Sequence, residues 1–582
     1  MEMNLNVDEV HKPNNHLTIT GGHMVLEAIV SEGIPVVFGY PGGAIMPIYD
    51  GLYDYKDKLE HILVRHEQGA IHAAQGFARV SHKTGVVFAT SGPGATNLVT
   101  GLADAMIDST PLVCITGQVY ANLLGTDAFQ EVDIINITVP VTKWSYQVTD
   151  AEELLSVIAK AFYIAGSGRP GPVLIDITKN AQLQKVNFTG YYRCSYVRSY
   201  SPKPHISRES IVSAAKLINE AKRPFVIFGQ GVLLGRAEQE LIAFIEKAGI
   251  PAAWTILGMS ALPTNHYLAV GMLGMHGNYG PNLLTNQCDV LIAVGMRFDD
   301  RVTGRLDRYA KQAKIIHLDI DAAEINKNVI ADVAVLGDCK ETLAMLTALV
   351  QEQEHVHWVD QFKQCSNREN KIVVQHELYP AGGELTMGEV IRTLNELTKG
   401  EAIIVTDVGQ HQMVACRYAQ FLKPNSNITS GGLGTMGFAL PAAIGCSYGD
   451  PLRTTVAVIG DGGFQMTLQE LGTIMQFKPK VKILILNNSF LGMVRQWQQL
   501  FHEKRYSFVN IESPDFVQVA KAYSIAGASV SDRSKLNGAI KEMLEHDGSY
   551  LLEVIVAKEN NVFPMVPQGK SVSEIVLTKE EI

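Results

Sequence analysis

Short, wholly apolar runs alternate along the chain with stretches of helical patterning. GVVFAT at 85–90, PLVCIT at 111–116 and PVLID at 172–176 are examples. A strand without a polar side belongs inside a parallel sheet that helices cover on both faces. The alternation therefore predicts α/β architecture. At 582 residues the chain is long enough for three or four such domains. Two stretches break the pattern and read as interdomain connections, about 186–205 (Tyr, Ser and Pro-rich) and about 352–383 (polar and His-rich). They leave three doubly wound units, 16–185, 206–350 and 384–560, and a tail at 561–582 that reads as surface-packed or as a covering segment. Units one and three both place glycine turns after strands and read as structural cousins, although no residue-level repeat is visible.

The composition narrows the class. Apolar residues make up 46% and charged residues 19%, as in a folded protein with sizeable cores. Forty-nine basic against fifty-nine acidic residues leave a net charge of -10, so nothing here attracts nucleic acid or an anionic membrane. No apolar window is long enough to predict a membrane span. Residues 1–15 carry no secretory or transit pattern and read as a mobile cytosolic start. The seven cysteines form no CxxC, and their odd count predicts inert thiols in a reducing compartment.

The placement of the glycines matters more than their number. Gly432, Gly434 and Gly437 match GxGxxG without a preceding strand, which alone is weak. The sharpest signal is Gly460-Asp461-Gly462 after one strand-like run and Asn487-Asn488 after the next. Twenty-seven residues separate Asp461 from Asn488, enough for a helical crossover between parallel strands. The two side chains then lie at neighbouring strand ends, with the Phe490 carbonyl as a third oxygen. Magnesium takes few protein oxygens and fills its shell with phosphate oxygens and water. Gly462 and Gly463 let the backbone approach a diphosphate at the next helix N-terminus. This spacing resembles the motif of thiamine diphosphate (ThDP) enzymes. Glu67 opens a predicted helix after the run at 62–64. A carboxylate there is also favoured by the helix dipole alone.

Eleven strings occur in order: PGGAI (41–45), RHEQGA (65–70), SGPGATN (91–97), GTDAFQE (125–131), SGRPGPV (167–173), LGMHG (273–277), RFDDRVTG (297–304), VGQHQM (408–413), GLGTMGF (432–438), GDGGF (460–464) and GMVRQWQ (492–498). Together they resemble the catalytic subunits of acetohydroxyacid synthases, also called acetolactate synthases, over the whole chain after about residue 16. The resemblance implies a pyrimidine-binding domain, a central FAD domain and a diphosphate domain. It implies decarboxylation of pyruvate and transfer of the two-carbon unit to a second 2-ketoacid. The products are 2-acetolactate or 2-aceto-2-hydroxybutyrate, in branched-chain amino acid synthesis. Implied cofactors are ThDP, Mg²⁺ and FAD. Implied partners are a second copy of the chain, as a dimer or dimer of dimers sharing active sites, and a small regulatory subunit. The implied location is cytoplasmic, and the short start fits a prokaryotic chain.

By the same resemblance, Glu67 activates the aminopyrimidine, and Gly43 and Gln130 lie by the reacting carbons. Phe129 and Lys179 lie near the substrate entrance. Arg301 holds the second ketoacid's carboxylate, since a guanidinium matches a carboxylate at two points; a surface pairing with Asp299 or Asp300 is the alternative. Val494 and Trp497 shape the acceptor pocket. Gly409, Gln410, His411, Gly434 and Met493 contact ThDP, and Met436 supports its bent shape or simply packs the core. Flavin contacts are expected from Arg169, Gly229, Gly231, Thr255, Met275 and His276, the last of which could equally be a turn histidine. Gly277, Gly295, Arg297, Asp319 and Asp338 complete that set. Val414 and Ala439 depart from the common Trp and Gly of the family. Pyruvate oxidase and the FAD-free catabolic acetolactate synthases are the neighbouring alternatives.

Overall fold

The structure is a computed structural model that describes residues 17–582; the expectation for residues 1–15 lies outside them. The chain forms two compact units.

The first unit comprises the described residues up to Ser201 together with Ile444–Asp450 and Gln469–Phe477. Its main sheet has six parallel strands. In spatial order they are Glu60–Leu63, Val36–Gly39, Gly85–Ala89, Leu112–Gln118, Pro172–Thr178 and Trp144–Val148. Every residue of 85–89, 112–118 and 172–178 is buried, as expected for strands with helices on both faces. Leu17–Thr20 adds a small antiparallel pair with Lys185–Phe188.

The second unit comprises Pro202–Ala443, Pro451–Leu468 and Lys478–Ile582, and it carries two more six-stranded parallel sheets. The middle sheet runs Ala269–Met272, Ala252–Trp254, Pro224–Phe228, Val290–Val294, Lys314–Asp319 and Val333–Leu336. Numbered along the chain, its order is 3-2-1-4-5-6, the doubly wound dinucleotide-binding order. The last sheet runs Asn427–Thr429, Ile403–Thr406, Thr455–Gly460, Val481–Asn487, Tyr550–Ile555 and Ala526–Val530. Numbered the same way, the first and last sheets share the order 2-1-3-4-6-5. Strand order thus carries a kinship that residue identity hides.

The stretch at 352–383 is largely helical rather than an open connection. Val356–Glu369 forms a helix, continued through a π-helical turn at Asn370–Val374. Trp358, Phe362 and Glu369 are its buried side chains, too sparse a stripe to register against a polar background. Trp358 Nε1 donates to the Pro224 carbonyl at 2.8 Å, and Phe362 packs on Phe225 with ring centroids 5.0 Å apart. The tail packs down as well. Met565, Val566, Val572 and Leu577 are buried, and the Val566 N–H donates to the Met275 carbonyl at 2.8 Å. All seven cysteines are free thiols. Among the described residues no helix is long and apolar enough to cross a membrane.

Candidate active site

Ligands of open parallel sheets bind beyond the carboxyl ends of the strands. In the first unit, four strings expected to be functional sit there. Strands 36–39, 60–63 and 85–89 lead into PGGAI, RHEQGA and SGPGATN, and strand 112–118 leads towards GTDAFQE.

Glu67 is the first residue of the helix Glu67–Ser81, whose N-cap His66 accepts from the Gln68 N–H through its ring. Glu67 is buried, and its Oε2 accepts from Asn97 Nδ2 at 2.8 Å. Asn97 is the last residue of SGPGATN, so the fold joins two strings thirty residues apart. Gly69 is glycine for a visible reason. A Cβ there would stand 2.3 Å from Oε1 of Glu470, which also accepts from the Arg65 N–H. Gly43 faces open space, since a Cβ on it would meet nothing within 4 Å.

Gln130 holds a left-handed backbone at φ 60° and packs against Gly92. Phe129 beside it is 88% exposed. Their loop is gathered by the Glu131 carboxylate, which accepts from the N–H groups of Gly125 and Ala128 and so lies below the usual carboxylate range. Lys179 follows strand 172–178, with its ammonium 6.0 Å from the Tyr120 ring centroid. Arg169 precedes that same strand, at the opposite end from Glu67, and its Nε donates to Ser109 Oγ at 2.9 Å.

In the second unit, Asp461 and Asn488 end neighbouring parallel strands in the register Gly460 to Leu486. Both are buried. Burial pushes the Asp461 carboxyl up to about 6, while hydrogen bonds from the backbone of Asn488 and from Ser513 oppose that rise. Ser489 takes a left-handed φ of 57°, which turns the chain from Asn488 into Phe490. Asn488 Nδ2 donates to Gln410 Oε1 at 3.2 Å, and its Oδ1 accepts from the Phe490 N–H. One carboxylate, one amide and one carbonyl suit a magnesium ion that completes its shell with diphosphate oxygens.

The neighbouring loops converge on the same strand ends. The His411 ring packs where a Cβ on Gly409 or on Gly460 would stand, 2.8 Å away in each case. Burial lowers the His411 imidazole to about 4, and its Nε2 has no hydrogen-bond partner among the described residues. A buried, neutral ring nitrogen lacking a partner fits a site built for a polar ligand. The Met436 methyl lies 3.9 Å from the Cβ position of Gly462, and Gly434 carries a positive φ of 72°. Gly463 is closed by Asp407, whose Oδ1 would stand 2.4 Å from its Cβ.

Asp407 escaped the sequence reading, as did Asn97. It is fully buried and accepts from the N–H groups of Val408, Gly437 and Ala439 at 2.9–3.0 Å. It thereby ties GLGTMGF to the strand that opens VGQHQM. An acidic residue straight after an apolar run was its only sequence signal.

The helix Gly492–Phe501 carries Met493, Val494 and Trp497. Val494 is exposed, and Trp497 packs against Phe501 with tilted rings whose centroids are 4.9 Å apart. Arg495 and Gln496 on this helix are buried. They bond to the carbonyls of Asn560 and Val562 and so fasten the helix to the start of the tail.

In the middle sheet, the strand order reverses between Pro224–Phe228 and Val290–Val294, where the rule for open sheets places a dinucleotide. Gly229 and Gly231 follow the first strand and Gly295, at φ 53°, follows the second. A Cβ on Gly229 would stand 2.5 Å from the Gly295 carbonyl oxygen, and one on Gly231 2.6 Å from the Gly295 Cα. These loops need glycine so that their backbones can touch. The Thr255 N–H donates to the Phe228 carbonyl at 3.0 Å. Asp319 ends its strand buried, and Asp338 caps the helix Cys339–Leu349.

LGMHG and RFDDRVTG meet through the Met275 N–H, which donates to the Arg301 carbonyl at 2.8 Å. Arg301 is 66% exposed and lies 3.7 Å from the still more open Asp300 carboxylate, too exposed a pair to hold it. Arg297 approaches Asp299 at 4.0 Å. His276 is buried, and desolvation with the nearby Arg417 and Arg301 charges lowers it to about 4. The Gly277 carbonyl accepts from Arg417 Nη1 at 2.9 Å.

Three family patterns match this chain. "Thiamine pyrophosphate enzyme, N-terminal TPP binding domain" covers residues 19–137, the "central domain" 211–346 and the "C-terminal TPP binding domain" 407–554. Relatives match over nearly the full length. The acetolactate synthase isozyme 2 large subunit of Escherichia coli (strain K12) is 44% identical over 96% of this chain and 99% of its own. The acetolactate synthase large subunit of Cyanidium caldarium is 42% identical over 97% of this chain and 98% of its own. The probable acetolactate synthase large subunit of Methanocaldococcus jannaschii is 42% identical over 96% and 95%. With glycine and polar turns gathered at the carboxyl ends of its parallel sheets, and with these matches, the chain belongs to the acetolactate synthase large-subunit family of thiamine pyrophosphate enzymes.

Proposed function

We propose that the residues at these strand ends carry out the family's reaction as follows. The chain is a ThDP-, Mg²⁺- and FAD-dependent acetolactate synthase. It decarboxylates pyruvate and joins the two-carbon unit to a second 2-ketoacid, in branched-chain amino acid synthesis. The observation that carries the residue assignment is the buried Glu67 carboxylate, whose Oε2 is held by Asn97 at 2.8 Å.

ThDP, when bound, supplies the nucleophilic carbon. Glu67 holds and moves a proton through its carboxylate, oriented by Asn97. Asp461, Asn488 and Phe490 hold Mg²⁺, and His411, Gly409 and Gly463 seat the diphosphate. Gly43 leaves room for the substrate, and Gln130, fixed in its left-handed turn, offers its amide to developing oxyanion charge. Arg301 clamps the acceptor's carboxylate. Trp497 and Val494 bias the acceptor pocket, by about 1–3 kcal/mol per methylene, towards 2-ketobutyrate. Apolar walls around the reacting carbons keep water from protonating the two-carbon unit. Phe129 and Lys179 border the way in. Gly229, Gly231 and Gly295 would hold the FAD.

A second copy of the chain completes the site, in a dimer or dimer of dimers, and a small regulatory subunit binds the assembly in the cytoplasm. The relatives' designation as large subunits supports that partner.

The test is acetolactate production from pyruvate, read as acetoin after acid treatment. Purified protein with ThDP, Mg²⁺ and FAD is compared with Glu67→Gln and with a ThDP-free sample. ThDP-dependent acetolactate, lost in the variant, is expected. Acetate, acetyl phosphate or acetaldehyde as the main product would refute the carboligase.

A further inference from the structure

Arg417 lies in the last turn of the helix Gln410–Tyr418, whose first turn holds Gln410 and His411. Its side chain is fully buried and so is its ion-pair partner Glu369, 2.5 Å away. Neither group belongs to the reaction described above. Removing two charges from water is costly unless the pair is held in good geometry by further hydrogen bonds. Arg417 Nε has no partner among the described residues, and the bonds the pair does make run to one place. Arg417 Nη1 donates to the Gly277 carbonyl at 2.9 Å and, longer, to that of His276. Glu369 Oε1 accepts from Asn278 Nδ2 at 2.9 Å, and Oε2 accepts from the Tyr279 N–H at 2.7 Å. Asn278 in turn accepts from the Met272 N–H at 2.9 Å. Arg417, on the helix that begins at the diphosphate loop, and Glu369, at the end of the helix Val356–Glu369, therefore hold the loop 273–279, which contains LGMHG, at residues 276–279.

We infer that Arg417 is a positioning residue that couples the two cofactor sites. Seating of the diphosphate loop fixes the helix, the helix fixes Arg417, and Arg417 with Glu369 orders the flavin-side loop. Binding of either cofactor then tightens the other. The inference rests on the assignment of Gly409–His411 to ThDP and of LGMHG to FAD. A coupling of this kind is reciprocal, so the factor must be equal in both directions.

The test uses full-length protein stripped of both cofactors. FAD affinity is measured by flavin fluorescence with and without saturating ThDP–Mg²⁺. ThDP–Mg²⁺ affinity is measured by protein fluorescence with and without saturating FAD. The wild type is expected to show one common factor, about 5–150-fold. Arg417→Lys keeps a cation for Glu369 but has no second nitrogen to span to Gly277, and the factor should fall towards one. Glu369→Gln cuts the same grip from the other side and should do likewise, which keeps the test open if the lysine variant does not fold. A wild-type factor of one overturns the inference, as does an undiminished factor in either folded variant. A wild type that binds ThDP but no FAD overturns the flavin assignment and the coupling with it, while coupling lost only in the variants leaves both standing.

Discussion

Asp176 allows a prediction whose size follows from the structure. It sits mid-sheet on the strand Pro172–Thr178, fully buried, and accepts from Thr116 Oγ1, Gln118 Nε2 and Gln147 Nε2 at 2.7–3.0 Å. Burial outweighs these three donors and pushes its carboxyl from the ordinary 3.8 up to about 6. A carboxyl whose folded pKa is raised favours the fold while protonated. That contribution is full below about pH 4 and is lost as the pH rises to about 6. At 1.36 kcal/mol per pH unit, the loss is about 3 kcal/mol. Asp176→Asn does not titrate. Its amide meets the Gln118 and Gln147 donors less well, but that cost is the same at every pH. The stability of the variant minus that of the wild type should therefore rise by about 3 kcal/mol between pH 4 and 7. Urea unfolding followed by tryptophan fluorescence, at one-unit pH steps, measures it. A difference that stays flat or falls with pH would show that the three donors keep Asp176 ionised throughout, and the reasoning would be wrong.

Three further outcomes follow from the geometry. Asn97→Ala removes its hydrogen bond to the Glu67 carboxylate, worth about 1.5–3 kcal/mol; kcat/KM should drop about ten- to a hundredfold while ThDP affinity holds, and an unchanged rate would deny Asn97 that role. Asp407→Ala strands three buried backbone N–H groups at about 1–3 kcal/mol each, so it should lower the unfolding midpoint and weaken ThDP binding together, whereas a wild-type midpoint would contradict the clamp. Gly445→Ala would place a Cβ 1.7 Å from the Ala73 carbonyl oxygen, a clash with main chain that only a backbone shift relieves; a loss of about 1–3 kcal/mol is expected in thermal denaturation, and an unchanged melting temperature counts against that packing.

The two site halves were legible for a specific reason. Glycines and polar residues directly after apolar runs mark strand ends, and strand ends are where an open parallel sheet binds ligands. Asp461 and Asn488 could be paired from spacing alone, because a crossover of that length joins neighbouring strands. The helix Val356–Glu369 was missed because its buried stripe is thin and its other positions are polar. Asn97 stood in a string already singled out, yet nothing in the string says that its amide reaches Glu67. Asp407 had no motif of its own, and its worth lies in three N–H groups, two of them some thirty residues away.

By itself, then, the sequence determined the α/β class, the alternation that builds three parallel sheets, and the short segments that end up at the strand ends. Those properties are local: apolar runs, glycine turns and crossover lengths act over a few to about thirty residues. Only the tertiary structure decided that the first and last sheets share one strand order, that Asn97 orients Glu67, that Asp407 gathers two loops, and that Arg417 and Glu369 grip the loop at 273–279. Arg417 and Gly277 are 140 residues apart. A contact across that distance exists only once packing has closed the chain between its ends, and no local pattern encodes it.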